Sequence, residues 1–142
     1  EDMGLAYSVF SYPSSFEDCG LFSIYAGSKP DNLMLVTKLI MEEIRTLKKD
    51  GITKEELYYS KEQLKGSYIL GLESTSGRMI SIGKSELLTG RIYSPNEILE
   101  KIDNVDMDSV NEIIMQIFDT DKMGAALIGN IDKNIDFKNI FE

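Results

Sequence analysis

The chain contains no histidine and a single cysteine, Cys19, among its 142 residues. Without an imidazole, its own residues can form no Ser-His-Asp triad, no Cys-His pair and no histidine-ligated metal site. One cysteine also excludes an internal disulfide and a zinc site built from several cysteines. Most hydrolytic mechanisms are therefore closed to this chain acting alone.

Basic residues and long apolar runs are also scarce. Fifteen Lys and Arg against 24 Asp and Glu give a formal net charge of -9. This balance argues against nucleic acid as a partner, because phosphate neutralisation needs clustered cations. No apolar run approaches the ~18 residues that a membrane-spanning helix needs. The chain shows no secretory signal either, so we expect a cytoplasmic protein without membrane partners.

The remaining composition is typical of one globular domain. Hydrophobic residues make up 42% of the chain and charged residues 27%, and a domain of this length buries roughly 68–70% of its unfolded surface. No proline-rich linker or internal repeat divides the sequence. We therefore expect residues 1–142 to form a single domain, or a piece cut from a larger protein.

The hydrophobic pattern predicts an α+β fold. Aromatic and β-branched residues on either side of a turn predict an antiparallel hairpin over residues 5–26. Helical periodicity then predicts helices over about residues 29–118, and an apolar run predicts a buried strand over about residues 123–128. The predicted helix starts are Ser28 with Asp31, Thr53 with Glu56, Ser94 with Glu97, and Asp106. Together these elements indicate an antiparallel sheet packed against several helices.

Few patterns inside the chain point to chemistry. Tyr7 offers a hydroxyl donor that could bond a peptide carbonyl or a developing oxyanion, although packing is the commoner role of a tyrosine in a hairpin. Ser81 and Lys84 match the spacing of a nucleophile and its base, but the partner motifs of that mechanism are absent. Composition and spacing alone therefore indicate a globular α+β domain with no self-contained catalytic machinery.

Three stretches, in this order and at these intervals, carry a family resemblance. They are Gly4–Val9; Gly51–Leu57 with Lys65–Ser67 and Leu72–Ser74; and Arg78-Met79 through Gly90-Arg91, Ser94 and Glu97-Ile98 to Gly129. Together they resemble the carboxyl-terminal half of the insulinase-like (pitrilysin-like, mitochondrial-processing-peptidase-like) zinc metallopeptidases of peptidase family M16. The resemblance covers nearly the whole chain.

The resemblance implies a two-lobed zinc peptidase with a LuxS/MPP-like metallohydrolase fold. Its amino-terminal half would carry an inverted His-x-x-Glu-His zinc motif, so zinc would be bound outside this chain and the chain alone would be inactive. The carboxyl-terminal half would close over the cleft and contribute an arginine and a tyrosine to substrate binding. The tyrosine corresponds to Tyr7. The arginine would stand immediately before Glu1 and is absent from the chain.

Three functional hypotheses follow from these observations. In the first, the chain is the substrate-binding, non-metal portion of a zinc endopeptidase, with the amino-terminal catalytic half and a peptide substrate as partners. In the second, it is an interaction or scaffolding domain of a degenerate, non-catalytic homologue. The third, an independent small domain with its own ligand, is disfavoured because the chain starts inside the motif. An unpaired hairpin edge would also favour association into a homodimer.

Overall fold

The computed structural model describes residues 4–130, which form two strands and five helices. Their bounds are β1 Ala6–Ser15, β2 Gly20–Ser28, α1 Leu33–Asp50, α2 Lys54–Gly71, α3 Thr75–Thr89, α4 Pro95–Asp103 and α5 Met107–Ile117. Within this part of the chain, none of the helices has the length and apolar character needed to cross a bilayer. The antiparallel hairpin followed by helices confirms the α+β class.

The chain divides into two compact units. One unit contains the residues up to Gly51 and those from Ile113 onwards, and the other contains Ile52–Glu112. The first unit therefore includes the hairpin and α1, and the second includes α2, α3 and α4. Residues 1–3 and 131–142 lie outside the described part, so a single domain over residues 1–142 stays a prediction.

The two faces of the hairpin have different surroundings. Phe10 and Tyr12 lie on one face with Tyr25, since the Phe10 ring stacks on Tyr25 at 4.8 Å and stands 5.9 Å from Tyr12. Phe22 lies on the opposite face and meets Phe118 edge-on at 5.5 Å between ring centroids. The face that carries Phe22 therefore points toward the core of its unit.

The core of the first unit is built largely by α1. The buried apolar residues are Val36, Met41 and Ile44 from α1, together with Ile114 and Phe118, and each keeps at most 8% of its surface exposed. Burying a side chain of this size contributes roughly 1.5–3 kcal/mol. The helical spacing of the α1 residues is the amphipathic pattern that the sequence indicates, and it holds α1 against this core.

The second unit packs α2 against α4 and joins them through two lysines. Lys61 Nζ donates to the carbonyls of Asp103 and Val105, each at 2.7 Å, which satisfies carbonyls that the end of a helix leaves unpaired. Lys65 Nζ bonds Asp103 Oδ1 at 2.8 Å and Glu62 Oε1 at 2.6 Å. The bond to Asp103, followed by that to Glu62, raises the pKa of Lys65, and the same Lys65 bond lowers the pKa of Asp103.

Most of the predicted helix starts are confirmed. Thr53 Oγ1 accepts the Glu56 N–H at 3.1 Å, and the Glu56 carboxylate accepts the Thr53 N–H at 2.7 Å. Ser94 and Glu97 form the same reciprocal pair at 3.3 and 2.8 Å. The Asp106 carboxylate accepts a backbone N–H in the first turn of α5 at 2.8 Å. These bonds satisfy N–H groups that have no partner inside the helix.

The capping box predicted at Ser28 and Asp31 is wrong. A short 3-10 turn occupies Pro30–Asn32. Asn32 is the N-cap of α1, which begins at Leu33. The Ser28 hydroxyl donates to the Lys29 carbonyl at 3.3 Å instead of accepting an N–H. The fixed φ of proline favours this tight turn, which moves the start of the helix beyond the reach of Ser28.

The buried strand predicted over residues 123–128 is also wrong. These residues have no regular structure, and Ile128 is fully exposed. Among the residues that the structure describes, β1 and β2 pair only with each other. A strand is defined by its ladder, so an apolar run without a neighbouring strand does not become one.

The capping boxes predict a pH-dependent stability. Hydrogen bonds from Thr53 lower the pKa of Glu56, and those from Ser94 lower the pKa of Glu97, from an ordinary value of 4.5. A lowered folded-state pKa gives stability that is fully present above the unfolded-state pKa and is lost as the pH falls through the folded-state value. We therefore expect the thermal unfolding midpoint to fall as the pH drops below about 4.5, and Glu56→Gln to weaken this dependence.

Thermal unfolding followed by circular dichroism between about pH 3 and pH 7 measures this effect. Glu55→Gln is the matched control, because Glu55 lies in the same first turn of α2 but outside the capping box. An equal loss of pH dependence in both variants would show that the charge of the turn, and not the box, is responsible.

Candidate functional site

Tyr7 lies at a β-bulge near the start of β1. Ala6 pairs with Ser28 and Ser8 pairs with Gly27, so the register shifts by one residue and Tyr7 has no partner across the ladder. The Tyr7 side chain is 74% exposed. A bulge bends its strand and re-aims a side chain, and bulges are frequent beside active sites. Tyr7 therefore presents its phenol at the surface and does not fill a core.

The backbone just ahead of the bulge is anchored by Asn32. Asn32 Nδ2 donates to the Leu5 carbonyl at 3.1 Å, in a partly buried bond between residues 27 positions apart. Asn32 occupies the N-cap of α1, where an asparagine side chain commonly accepts an N–H of the first turn. It makes no such capping bond. Instead, the side chain bonds Leu5, which lies just before the strand that carries Tyr7.

Gly27 stands across the ladder from the bulge. A Cβ at this position would lie 3.2 Å from Ser8 Oγ and 3.4 Å from the Tyr25 hydroxyl oxygen. The distance to Ser8 is tighter than most Cβ contacts, so a larger residue would require the Ser8 side chain to shift slightly, whereas the distance to Tyr25 is close to ordinary van der Waals contact. Glycine thus avoids a close contact with Ser8 beside the bulge.

Phe10, Tyr12 and Tyr25 form an aromatic face along the hairpin. They keep 51%, 45% and 50% of their surfaces exposed. Clustered aromatic surface of this kind is typical of a surface that meets another chain or a ligand. Together with Tyr7, the hairpin offers three tyrosine hydroxyls and an exposed aromatic surface. This combination suits an extended peptide or a neighbouring protein surface.

The residues that the structure describes do not fit a zinc ion. Protein zinc sites use Cys, His and carboxylate ligands, in sets of three or four. The sequence has no histidine, and Cys19 is exposed. Over residues 4–130, no three Cys, Asp or Glu side chains are grouped in a way that could hold a metal. No step through zinc is therefore assigned to these residues.

The Ser-x-x-Lys pair lies apart from this site. Ser81 and Lys84 are both exposed on α3, and in the described structure no hydrogen bond joins them. A serine nucleophile needs a base within hydrogen-bond reach. The structure therefore does not support nucleophilic chemistry at this pair.

Sequence patterns miss both the bulge and the Asn32 contact. An asparagine after Pro30-Asp31 indicates a helix start, and nothing in its neighbours signals a bond to a residue 27 positions away. The bulge has no glycine or proline at Tyr7 to mark it. Gly27 is the one local signal, because an isolated glycine within a strand often accompanies a bulge.

Comparisons with known proteins give the family. Residues 1–64 match the family model described as the Peptidase M16 inactive domain. The chain is 47% identical over 128 residues to a Bacillus subtilis protein named as the zinc protease YmxG, covering 90% of this chain and 31% of that protein. A Streptomyces coelicolor protein named as a zinc protease is 42% identical over 117 residues, covering 82% of this chain and 26% of its own length.

A solved structure shares the fold. A chain of complex III2 from Candida albicans, with Inz-5 bound, superposes with a TM-score of 0.70 at 26% identity, covering 78% of this chain and 27% of its own. The chain therefore belongs to peptidase family M16, as a carboxyl-terminal domain of that family. The resemblance seen in the sequence motifs is confirmed. The chain spans about a third or less of the length of these relatives.

The composition predicts the outcome of a metal titration. With no histidine and one cysteine, we expect the chain to bind zinc only as weakly as scattered surface carboxylates do. Isothermal titration calorimetry with zinc measures this, and a magnesium titration serves as the control for non-specific attraction to acidic side chains. A stoichiometric zinc site of submicromolar affinity would contradict the prediction.

Proposed function

We propose that this chain is the substrate-binding, non-metal carboxyl-terminal portion of a zinc-dependent endopeptidase. The zinc-protease names of its relatives and its match to the inactive-domain model support a peptidase. The missing histidine supports a zinc ion held by the amino-terminal half of the same protein, outside this chain. By this proposal the chain alone is inactive, and a cytoplasmic location stays a prediction.

The exposed phenol of Tyr7 is the observation that carries this proposal. Tyr7 is out of register at the bulge and 74% exposed, so its hydroxyl is accessible to a ligand. A phenolic hydroxyl can donate a hydrogen bond to a peptide carbonyl or to the oxyanion that forms when water attacks it. A donor that is held where the charge develops lowers the barrier, because it stabilises the transition state more than the bound substrate.

The aromatic face of Phe10, Tyr12 and Tyr25 supports a partner at this end of the chain. We assign this partner to the amino-terminal half of the same protein, because the chain spans only 31% of YmxG and its family is a family of longer proteins. Covering the aromatic face would remove apolar surface from water, at about 25 cal/mol per Å². When the chain is isolated, the same face would instead favour association of two copies into a homodimer.

Replacement of Tyr7 by phenylalanine tests the proposal. In the full-length protein, we expect Tyr7→Phe to lower kcat/KM for peptide hydrolysis by about 10²–10³, the usual cost of removing one oxyanion donor. Folding should be nearly unchanged, because only an exposed hydroxyl is lost. Steady-state kinetics and a thermal melt on the same preparation measure both quantities.

Tyr59→Phe is the matched control for this experiment. Tyr59 is similarly exposed, at 62%, and lies on α2, so its loss of a hydroxyl should leave turnover unchanged. Normal turnover with a lowered melting midpoint in Tyr7→Phe would make Tyr7 a structural residue. A full-length sequence without His-x-x-Glu-His, together with no peptide turnover, would favour the scaffolding role of a degenerate homologue.

A further inference from the structure

We propose that Asn32 is a positioning residue for Tyr7, acting through its hydrogen bond to the Leu5 carbonyl. This inference rests on the proposed function of Tyr7 in peptide hydrolysis. It adds a residue from the start of α1 to a site whose other parts belong to the hairpin.

The Asn32 side chain bonds Leu5 and does not cap its own helix. Asparagine is among the best N-cap residues, because its side-chain oxygen accepts a backbone N–H of the first helical turn. Asn32 stands at the N-cap of α1 but makes no capping bond, and its amide donates to Leu5 at 3.1 Å. The contact with Leu5, the residue just before β1, therefore stands in place of the local capping bond.

The backbone on the amino-terminal side of the bulge has few contacts with β2. On one side of Tyr7 the ladder is continuous from Ser8 onwards, and on the other side only Ala6 pairs with β2. Within residues 4–130, the ladder ends at Ala6. The Asn32 bond to the Leu5 carbonyl is the next contact that restrains the backbone on that side. The Asn32 bond to Leu5 therefore adds a second contact, beyond the single Ala6 pair, that restrains the chain on the amino-terminal side of Tyr7.

Asn32 is itself held in place by its own backbone contacts. Its backbone N–H donates to the Lys29 carbonyl at 3.0 Å, and it follows Pro30 in a 3-10 turn. The helix that it begins places Val36 in the core at 7% exposure. A side chain supported by a packed helix sets a more precise position than one on a free loop.

Asn32→Asp in the full-length protein removes the bond with little risk to folding. Aspartate has the shape of asparagine and caps helices equally well, but an ionised carboxylate has no N–H to donate to the Leu5 carbonyl. We expect kcat/KM to fall by roughly 10–100-fold, mostly in kcat, since a displaced catalytic donor costs rate more than binding. Thr37→Val is the control, because it removes a 2.8 Å bond to Leu33 within the same helix start and should leave kcat/KM unchanged.

A double variant shows whether Asn32 acts through Tyr7. In the Tyr7→Phe background, the hydroxyl to be positioned is already gone, so Asn32→Asp should lower kcat/KM by less than about twofold. If the two losses instead multiply, Asn32 affects activity independently of Tyr7 and the inference is wrong.

A spectroscopic measurement separates this inference from the proposed function. In protein labelled with 3-fluorotyrosine, the ¹⁹F resonance that disappears in Tyr7→Phe reports on Tyr7. We expect this resonance to shift or broaden in Asn32→Asp and to stay unchanged in Thr37→Val. An unchanged resonance in Asn32→Asp would overturn the positioning role. A shifted resonance combined with full turnover of Tyr7→Phe would support the positioning contact and reject the proposed function.

Discussion

The antiparallel ladder between β1 and β2 is the constraint on which the candidate site depends. Two strands alone are marginally stable in water, so the hairpin needs support from one face. The edge-on contact of Phe22 with Phe118 provides part of it, on the side of the core that α1 fills. The opposite face is thereby left free for the aromatic residues Phe10, Tyr12 and Tyr25. The exposed aromatic face is thus a consequence of one-sided packing.

Several charged residues of the described chain stabilise its fold. Glu56 and Glu97 complete capping boxes, Lys61 bonds carbonyls at the end of α4, and Lys65 bonds Asp103. Groups engaged in this way are poor candidates for acid–base catalysis, since proton transfer would break the contacts that hold the helices. This distribution agrees with a domain that binds and orients, and whose chemistry is supplied by another part of the protein.

Local signals predicted two capping boxes correctly, whereas the box at Ser28 and Asp31 failed because a 3-10 turn begins at Pro30. Thr53 with Glu56 and Ser94 with Glu97 are three residues apart, so one helical turn decides whether they form a box. The spaced glycine and charge motifs likewise indicated the family. The other features that the sequence did not predict depend on distant partners. The Asn32 bond needs the hairpin to be folded already, and the bulge depends on how two strands meet. Residues 123–128 have no strand to pair with among residues 4–130.

The free energies of the two hydrogen bonds explain why the Asn32 side chain can bond Leu5 and leave α1 without a side-chain cap. Losing an N-cap side chain costs about 1 kcal/mol of stability, and the replacement bond from Asn32 to Leu5 returns roughly 0.5–1.5 kcal/mol. The exchange is therefore close to neutral for folding. A well-placed oxyanion donor, by contrast, is worth about 2.7–4 kcal/mol of activation barrier. By the proposed role of Tyr7, a contact at Asn32 that is nearly neutral for folding therefore affects the rate more than the stability.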